Sequence, residues 1–229
     1  PDPAGPVIIS AFKTIADPYV GKLTYFRVVS GTLRGDSRLH NPRTSSEERL
    51  GQLYVMRGKD QINIDHLALG DIGAVAKLNT TITGDTLGPR DALHSVIPPV
   101  YPDPLYEVAV MPKTQQDSAK MGAALTRLTE QDPTLRWRFE GGTHQTILSG
   151  LGDTHIDVAV RNLEGKFGVN VETSVPKVPY QETVTRNAAD QYRHKKQTGG
   201  AGQFAEVHME IKPLPRGGGF EYDTNRVFG

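Results

Sequence analysis

The sequence predicts a multidomain β and α+β chain: a β-barrel, then a two-helix α+β block, then the opening part of a second α+β unit. Three observations predict it. Residues 7–87 hold β-branched and aromatic runs cut by glycine turns, and no window keeps a helical apolar period for two turns. Residues 105–175 read strand, helix, strand, strand, helix, strand. Prolines cluster between the blocks, at 89, 98, 99, 102 and 104 and again at 176 and 179.

In chain order, VIISAFKTI and LTYFRVVSG are the first strands, and turns follow at Gly31, Gly35, Gly51, Gly58 and the pair Gly70 and Asp71. Short strands at this turn density favour closure, because a closed barrel leaves no unpaired edge. The barrel is assigned to residues 1–92. Proline fixes its own backbone and pushes the preceding residue towards extended forms, so 88–104 reads as a stiff linker.

The second block, residues 93–175, opens with LYEVAVMP, in which Tyr106, Val108 and Val110 share one side of a strand. Thr114 and Asp117 form a capping box with aspartate in place of glutamate. Met121, Ala124, Leu125 and Leu128 then make a helical stripe that ends at Asp132 and Pro133. TLRWRFE places Leu135, Trp137 and Phe139 on one face and Arg136 and Arg138 on the other. Gly141 and Gly142 turn the chain into a second strand, which runs to Gly150. Gly150 and Gly152 bracket the next turn, with Asp153 or Thr154 expected as helix cap and His155 in the first turn. Ile156, Val160, Leu163 and Phe167 recur at spacings of four, three and four, one buried helical face, and 169–173 is the last strand. This is the ferredoxin-like βαββαβ order. Two helices cover only one side of such a sheet. The open side is expected to carry either Trp137 or the two arginines.

Residues 176–229 alternate again, with Phe204, Glu206, His208 and Glu210 opposing Ala205, Val207, Met209 and Ile211. About 50 residues without a helix is less than a domain usually needs to bury a core, so this is expected to be part of a domain with an exposed sheet edge. The start at Pro1 without methionine, and the stop straight after Arg226, Val227 and Phe228, likewise point to a piece of a longer protein.

Composition bounds the chemistry. With 26 basic and 26 acidic residues there is no global field, so any nucleic-acid contact must come from a local patch. Without cysteine there is no disulfide, thiolate metal site or cysteine nucleophile. No apolar run approaches the roughly 18 residues of a membrane span. A phosphate-binding loop is also missing: the nearest candidate, Gly21 and Lys22, has Ala16 where the first glycine belongs and Leu23 where a hydroxyl must hold magnesium. No NKxD string follows, so by itself the chain is expected neither to bind nor to hydrolyse GTP. Asp153, His155 and Asp157 sit two apart on a helix, point in different directions and cannot converge on one metal ion.

The strongest candidate for direct contact with a ligand is the segment 192–203. Arg186, Arg193, Lys195 and Lys196 stand against Asp190, and His194 adds charge below neutrality. The glycine-rich turn that follows can offer N–H groups to a phosphate while the lysines neutralise it, and Tyr192 can stack on an unpaired base. A solvated hairpin tip with no ligand explains the same residues.

Four ordered stretches carry a resemblance. They are TGDTL from Thr83, LSGLGDTHID from Leu148, PKVPYQET from Pro176 and KQTGGAGQ from Lys196. They resemble, in order and separation, motifs of elongation factor G, the ribosomal translocase. FKTIADPYVGKL and SGLGDTHIDVAV are similar to wording in the bacterial elongation factor G-like paralogues. The resemblance implies a translation-factor β-barrel as domain two (1–92), a ferredoxin-like domain three (93–175) and the N-terminal part of a ribosomal-protein-S5-like α+β domain four (176–229). It implies a cytoplasmic parent protein whose GTPase domain binds GTP and magnesium, with no cofactor in this portion and no membrane. The implied partners are the ribosome through rRNA and ribosomal proteins, the tRNA–mRNA pair indirectly, and the GTPase and C-terminal domains of the same protein. The tip residues Tyr192, Arg193, His194, Lys195, Lys196, Gln197, Thr198, Gly199, Gly200 and Gln203 are those implied to reach the decoding region. His155, Asp153, Arg136 and Arg138 are assigned to an interdomain interface, His155 by the resemblance; from the open face of the sheet the two arginines can also grip rRNA or a ribosomal protein, or else form surface salt bridges. Residues 83–87 are read as a strand-end turn that holds the barrel together. The chain departs from the family pattern at Ala201, where arginine is usual, and at Phe204 and Ala205, where tyrosine and glycine are usual; one charge and some backbone freedom are lost.

The implied role is the ribosome-binding middle of a translational GTPase acting in elongation (tRNA–mRNA translocation) or ribosome recycling. The alternatives are a ribosome-protection factor of the same superfamily, or a non-catalytic β-barrel interaction module. A free-standing enzyme finds no support in a Ser/His/Asp order, a GxSxG elbow, an HExxH string or a close carboxylate pair.

Overall fold

The computed structural model describes residues 1–17, 21–91, 95–197, 199–200 and 202–223, the side chain of residue 17 excepted. Two compact units divide the chain, Pro1–Val178 and Pro179–Gly229.

The first ten strands are β1 (Ile8–Asp17), β2 (Gly21–Ser30), β3 (Leu33–Arg34), β4 (Ser37–Asn41), β5 (Ser46–Leu50), β6 (Leu53–Arg57), β7 (Asp60–Ile64), β8 (His66–Leu67), β9 (Ile72–Ala76) and β10 (Thr86–Leu87). Six of them form one sheet in the order β10-β1-β2-β9-β6-β7, while β3 pairs with β8 and β4 with β5. A reciprocal pair of backbone bonds, His40 N–H to Gly88 O at 2.7 Å and Gly88 N–H to His40 O at 3.1 Å, ties the β4–β5 pair to the end of β10. That bridge wraps the sheet round its core of Ile9, Phe26, Val28, Leu33, Leu50 and Leu53. The alternation that sends these residues inward follows from the two-residue strand period. A register shift between Ala11 and Lys13 leaves Phe12 as the extra residue of a bulge, and its ring is exposed.

The turn at 83–87 holds this barrel by charge. Asp85 is buried and takes the Arg43 guanidinium at 2.6 and 2.9 Å and the Asn41 amide at 2.8 Å. Glu48, also buried, accepts the amides of Asn79, Thr80 and Thr81 and the hydroxyls of Thr80 and Thr81. Burial alone would raise both carboxyl pKa values. The donors around Glu48, and Arg43 and its neighbours around Asp85, outweigh it and hold both groups below the usual range.

Next come β11 (Tyr106–Pro112), α1 (Gln115–Gln131), β12 (Arg136–Glu140), β13 (Gln145–Gly150), α2 (Asp153–Phe167) and β14 (Val171–Ser174). The sheet order β12-β13-β11-β14, antiparallel throughout, is the ferredoxin-like arrangement. Thr114 caps α1 by accepting the Asp117 amide at 3.1 Å. Asp117 in turn accepts the Asn170 amide at 2.9 Å, which fixes the α1 N-terminus against the chain entering β14. Leu125, Leu128, Leu148, Ile156 and Leu163 form the core, with Trp137 packed against it. Trp137 therefore faces the helices and the arginines take the open side. Phe139 shares the Trp137 face but is exposed, because β12 is the edge strand.

One local expectation is corrected. The α2 cap is Gly152, extended and without a side-chain bond, not Asp153 or Thr154. The helix starts one residue sooner than a side-chain cap would require, because the imidazole of His155 takes the Leu151 amide. Asp153 then lies in the first turn, where its negative charge is stabilised by the positive end of the helix dipole.

The second unit is a ribbon of β15 (Ala188–Lys196) and β16 (Gln203–Ile211), in register from Ala188–Ile211 to Lys196–Gln203. Nearly every ribbon residue is exposed, as two strands alone cannot bury a face. The strand-like residues 226–228 lie outside the described residues, as do Thr198 and Ala201.

Candidate nucleic-acid interface

The ribbon register sorts the basic tip into two faces. Tyr192, His194 and Lys196 lie on one with Val207, Ala205 and Gln203 opposite; Gln191, Arg193 and Lys195 lie on the other with His208, Glu206 and Phe204 opposite. The charges are not equally free. Arg193 Nε donates to Glu206 Oε2 at 2.7 Å, and its guanidinium stands 5.9 Å from the Phe204 ring centroid. Glu206 is held below its usual pKa range first by this bond, and by His208 as well. Lys195 and Lys196 have no ion-pair partner among the described residues. The tip is thus less basic than its composition: of the four cations set against Asp190, Arg193 is paired, while Arg186, Lys195 and Lys196 have no ion-pair partner among the described residues.

Gly199 and Gly200 have φ of 62° and 90°, the left-handed region that glycine enters without strain. They turn the strands over while leaving the backbone uncovered. His194 Nε2 lies 3.3 Å from Gln203 Oε1, and the Tyr192 and His194 rings are 6.4 Å apart, so one face of the tip carries a short aromatic row. Gln197 directly follows β15, and Thr198 is outside the described residues.

The other predicted residues belong to the ferredoxin-like block. His155 Nε2 is 3.0 Å from Asp132 Oδ2, and its Nδ1 accepts from Leu151 N–H at 3.1 Å. Asp153 Oδ1 accepts the Thr154 amide at 2.6 Å. Arg138 makes a two-pronged bond to Glu107, at 2.6 and 3.0 Å, which also receives the Ser149 hydroxyl at 2.9 Å; Arg136 reaches Asp103 at 2.7 Å. Arg138 sits opposite Ile147, but the bond runs to β11, so the guanidinium crosses the central strand on the open side of the sheet.

Sequence reasoning does not single out Glu206, Phe204, Asp132 or Glu107 as partners. One signal is available for the first: a hairpin turning about Gly199 and Gly200 with Lys196 facing Gln203 necessarily sets Arg193 against Glu206. The pairs made by Asp132 and Glu107 span 23 and 31 residues and carry no local signature.

Among the described residues no cluster of three or more His, Asp or Glu could hold an ion. Gly21 and Lys22 lie in a paired antiparallel strand, with Lys22 Nζ 3.8 Å from Glu130 Oε1, and not in a loop whose amides converge at a helix N-terminus. No helix is long and apolar enough to cross a membrane among the described residues.

Comparison with known proteins gives three family matches in chain order. Residues 6–89 match elongation factor G domain 2, residues 101–175 match elongation factor G domain III, and residues 176–229 match elongation factor G domain IV. The chain is 38% identical to an elongation factor G-like protein of Thermotoga maritima over 218 residues, covering 95% of this chain and 32% of that protein. It is 41% identical to elongation factor G of Ehrlichia ruminantium over 219 residues, 96% of this chain and 32% of that protein. A solved structure from Thermus thermophilus matches with a TM-score of 0.69 at 36% identity, covering 90% of this chain and 31% of that one. The chain spans about a third of the length of these relatives.

Proposed function

This chain belongs to the elongation factor G family, and on that premise we propose that it is the ribosome-binding middle of a translational GTPase. The parent acts in elongation, as a translocase, or in ribosome recycling. Residues 1–92, 93–175 and 176–229 serve as its domains two, three and the start of four. GTP and magnesium bind elsewhere in the parent, in the cytoplasm, and the ribosome is the partner of this portion. The chain acts as a carrier of shape, built of two folded blocks and a two-stranded ribbon.

The observation that supports this reading best is the ribbon tip. Lys195 and Lys196 have no ion-pair partner among the described residues and flank a glycine turn with an uncovered backbone, on a chain whose net charge is zero. Two cations held at the end of a hairpin suit the phosphates of ribosomal RNA, the messenger or tRNA. His155, Asp153, Arg136 and Arg138 are the contacts proposed between domains or with the ribosome from the ferredoxin-like block.

The test is a salt titration of ribosome binding by the chain and by the Lys195→Ala, Lys196→Ala double variant. Each phosphate contact removed lowers the slope of log affinity against log salt by roughly 0.7–0.9. The expected result is weaker binding with a flatter slope. Equal affinity and equal slope would remove the tip from the interface.

A further inference from the structure

The ribbon's two faces differ, and we propose that Phe204 is a stacking platform for an unpaired base of single-stranded RNA, with Lys195 beside it for the adjoining phosphate. This rests on the reading of the tip as an RNA contact and adds to it a particular ring and a particular face.

One face collects the apolar residues Val207, Met209 and Ile211 with Tyr192, joined by Asp190 and, towards the tip, by His194, Lys196 and Gln203. The other is polar, carrying Gln191, Arg193, Lys195, Glu206, His208 and Glu210. Phe204 is the exception on that second face. It is 65% exposed and has no apolar neighbour in register, since Lys195 lies directly opposite and Glu206 is next on its own side. An aromatic ring kept on the polar face of a ribbon gains nothing from the apolar stripe behind it. Two cations and one carboxylate surround it: the Arg193 guanidinium 5.9 Å from the ring centroid, the unpaired Lys195 across the strand, and Glu206, which is bonded to Arg193. Arg193 also bonds Glu206 at 2.7 Å, so its guanidinium lies between that carboxylate and the ring. The remaining ring surface, with a free ammonium beside it, has the two elements that single-stranded nucleic acid requires, a π-face for a base and a cation for its phosphate. The charge favours an anionic polymer over an acidic peptide only in combination with the ring; stacking decides between them.

The test uses the 229-residue chain and a dye-labelled oligoadenylate, with the duplex of the same length as comparison. Phe204→Leu keeps the apolar volume and removes the π-face. It is expected to weaken single-strand binding roughly tenfold while leaving the salt slope unchanged. Phe204→Tyr should bind like the parent, and Lys195→Ala should flatten the slope by roughly 0.7. Phe204→Trp adds a reporter whose fluorescence should be quenched by oligoadenylate more than that of the parent, which contains only Trp137. Equal binding by the Leu variant, or no added quenching in the Trp variant, overturns the proposal. So does a loss of ribosome affinity in the Leu variant when neither protein binds oligoadenylate, since that assigns the ring to a protein contact. If Lys195→Ala with Lys196→Ala weakens ribosome binding and Phe204→Leu does not, the platform is wrong and the tip reading stands. If the lysine changes also have no effect, the tip reading itself fails.

Discussion

His155 donates from Nε2 to Asp132 at 3.0 Å while its Nδ1 accepts the Leu151 amide at 3.1 Å, so one imidazole ties the end of α1 to the turn before α2. The backbone donor fixes the tautomer, because a proton on Nδ1 would face another N–H. Gly150 makes the seat: a Cβ there would come within 3.1 Å of Nδ1 and 3.0 Å of Ile156 Cδ1. Nitrogen-15 NMR of the chain should therefore report the Nε2–H form at neutral pH. His155→Ala is expected to cost roughly 1–2 kcal/mol in denaturant unfolding. Asp132→Asn should cost less, since its amide oxygen still accepts the same proton. A dominant Nδ1–H signal would refute the arrangement.

The buried carboxylates of the barrel give a pH dependence of known sign. Glu48 and Asp85 are both held below their ordinary range, against the effect of burial, so the folded state binds fewer protons than the unfolded chain. Their contribution is fully present above the unfolded values of roughly 3.9–4.3 and is lost as pH falls below them through the folded values. Barrel stability, followed by urea midpoint, should be flat from neutrality down to that range and then fall. Glu48→Ala strands the amides of Asn79, Thr80 and Thr81 and should cost more than about 2 kcal/mol at neutral pH, with a shallower acid limb. An unchanged acid limb would sink the assignment.

Gly73 lies within β9, and a Cβ there would overlap Leu67 Cδ1 and approach Phe26 Cζ at 3.2 Å. Phe26 is fully buried and stands opposite Gly73 across the β2–β9 pair, so neither neighbour can withdraw freely. Gly73→Ala should destabilise the barrel by about 1–3 kcal/mol through overpacking. Ala at the unobstructed, open position Gly51 serves as the control and should stay within about 0.5 kcal/mol. Equal midpoints for the two variants would show that the strand relaxes around the methyl.

Local rules carry the sequence as far as elements, and non-local pairing decides the rest. Thr114 and Asp117 cap α1, and Ile156 and Leu163 line the buried face of α2, because capping and the 3.6-residue period act within a few residues. The face taken by Trp137 is open between two choices in the sequence, and only the packing of the helices on it decides. The cap of α2 differs from expectation because a side chain from within the helix, His155, takes the amide at the turn. Gly73 draws no notice among 24 glycines, since its reason is the Phe26 and Leu67 side chains and not a turn. At the tip, composition overstates the charge because Glu206 lies 13 residues from Arg193.

Arg138 and Glu107 form a bidentate pair that remains half in water. Hydrogen bonding by Arg138 is the leading cause of the lowered Glu107 pKa, ahead of opposing burial. A double-mutant cycle of Arg138→Ala with Glu107→Ala should give a coupling of about 0.2–1 kcal/mol that shrinks as salt is added. Arg138→Lys should recover less than half of it, since an ammonium cannot reproduce the fork. Coupling above that range and insensitive to salt would mean the pair is shielded by something over the open face.

Gly199 and Gly200 separate the shape of the tip from its charge. Their φ values of 62° and 90° suit glycine, and a Cβ at either meets nothing within 4 Å. Any effect of alanine is then backbone strain and not collision, roughly 1–2 kcal/mol at a left-handed position and more at Gly200, whose φ is farther from the region other residues reach. If the turn presents Lys195 and Lys196 to phosphates, Gly200→Ala should weaken ribosome binding while the salt slope stays close to the parent's, because no cation has been removed. Lys195→Ala with Lys196→Ala should change both. Deleting the turn's strain with a D-alanine at 200, made by semisynthesis, should restore affinity, since the mirror-image residue accepts positive φ. A Gly200→Ala variant that binds as tightly as the parent would show that the lysines act from the strands without help from the turn.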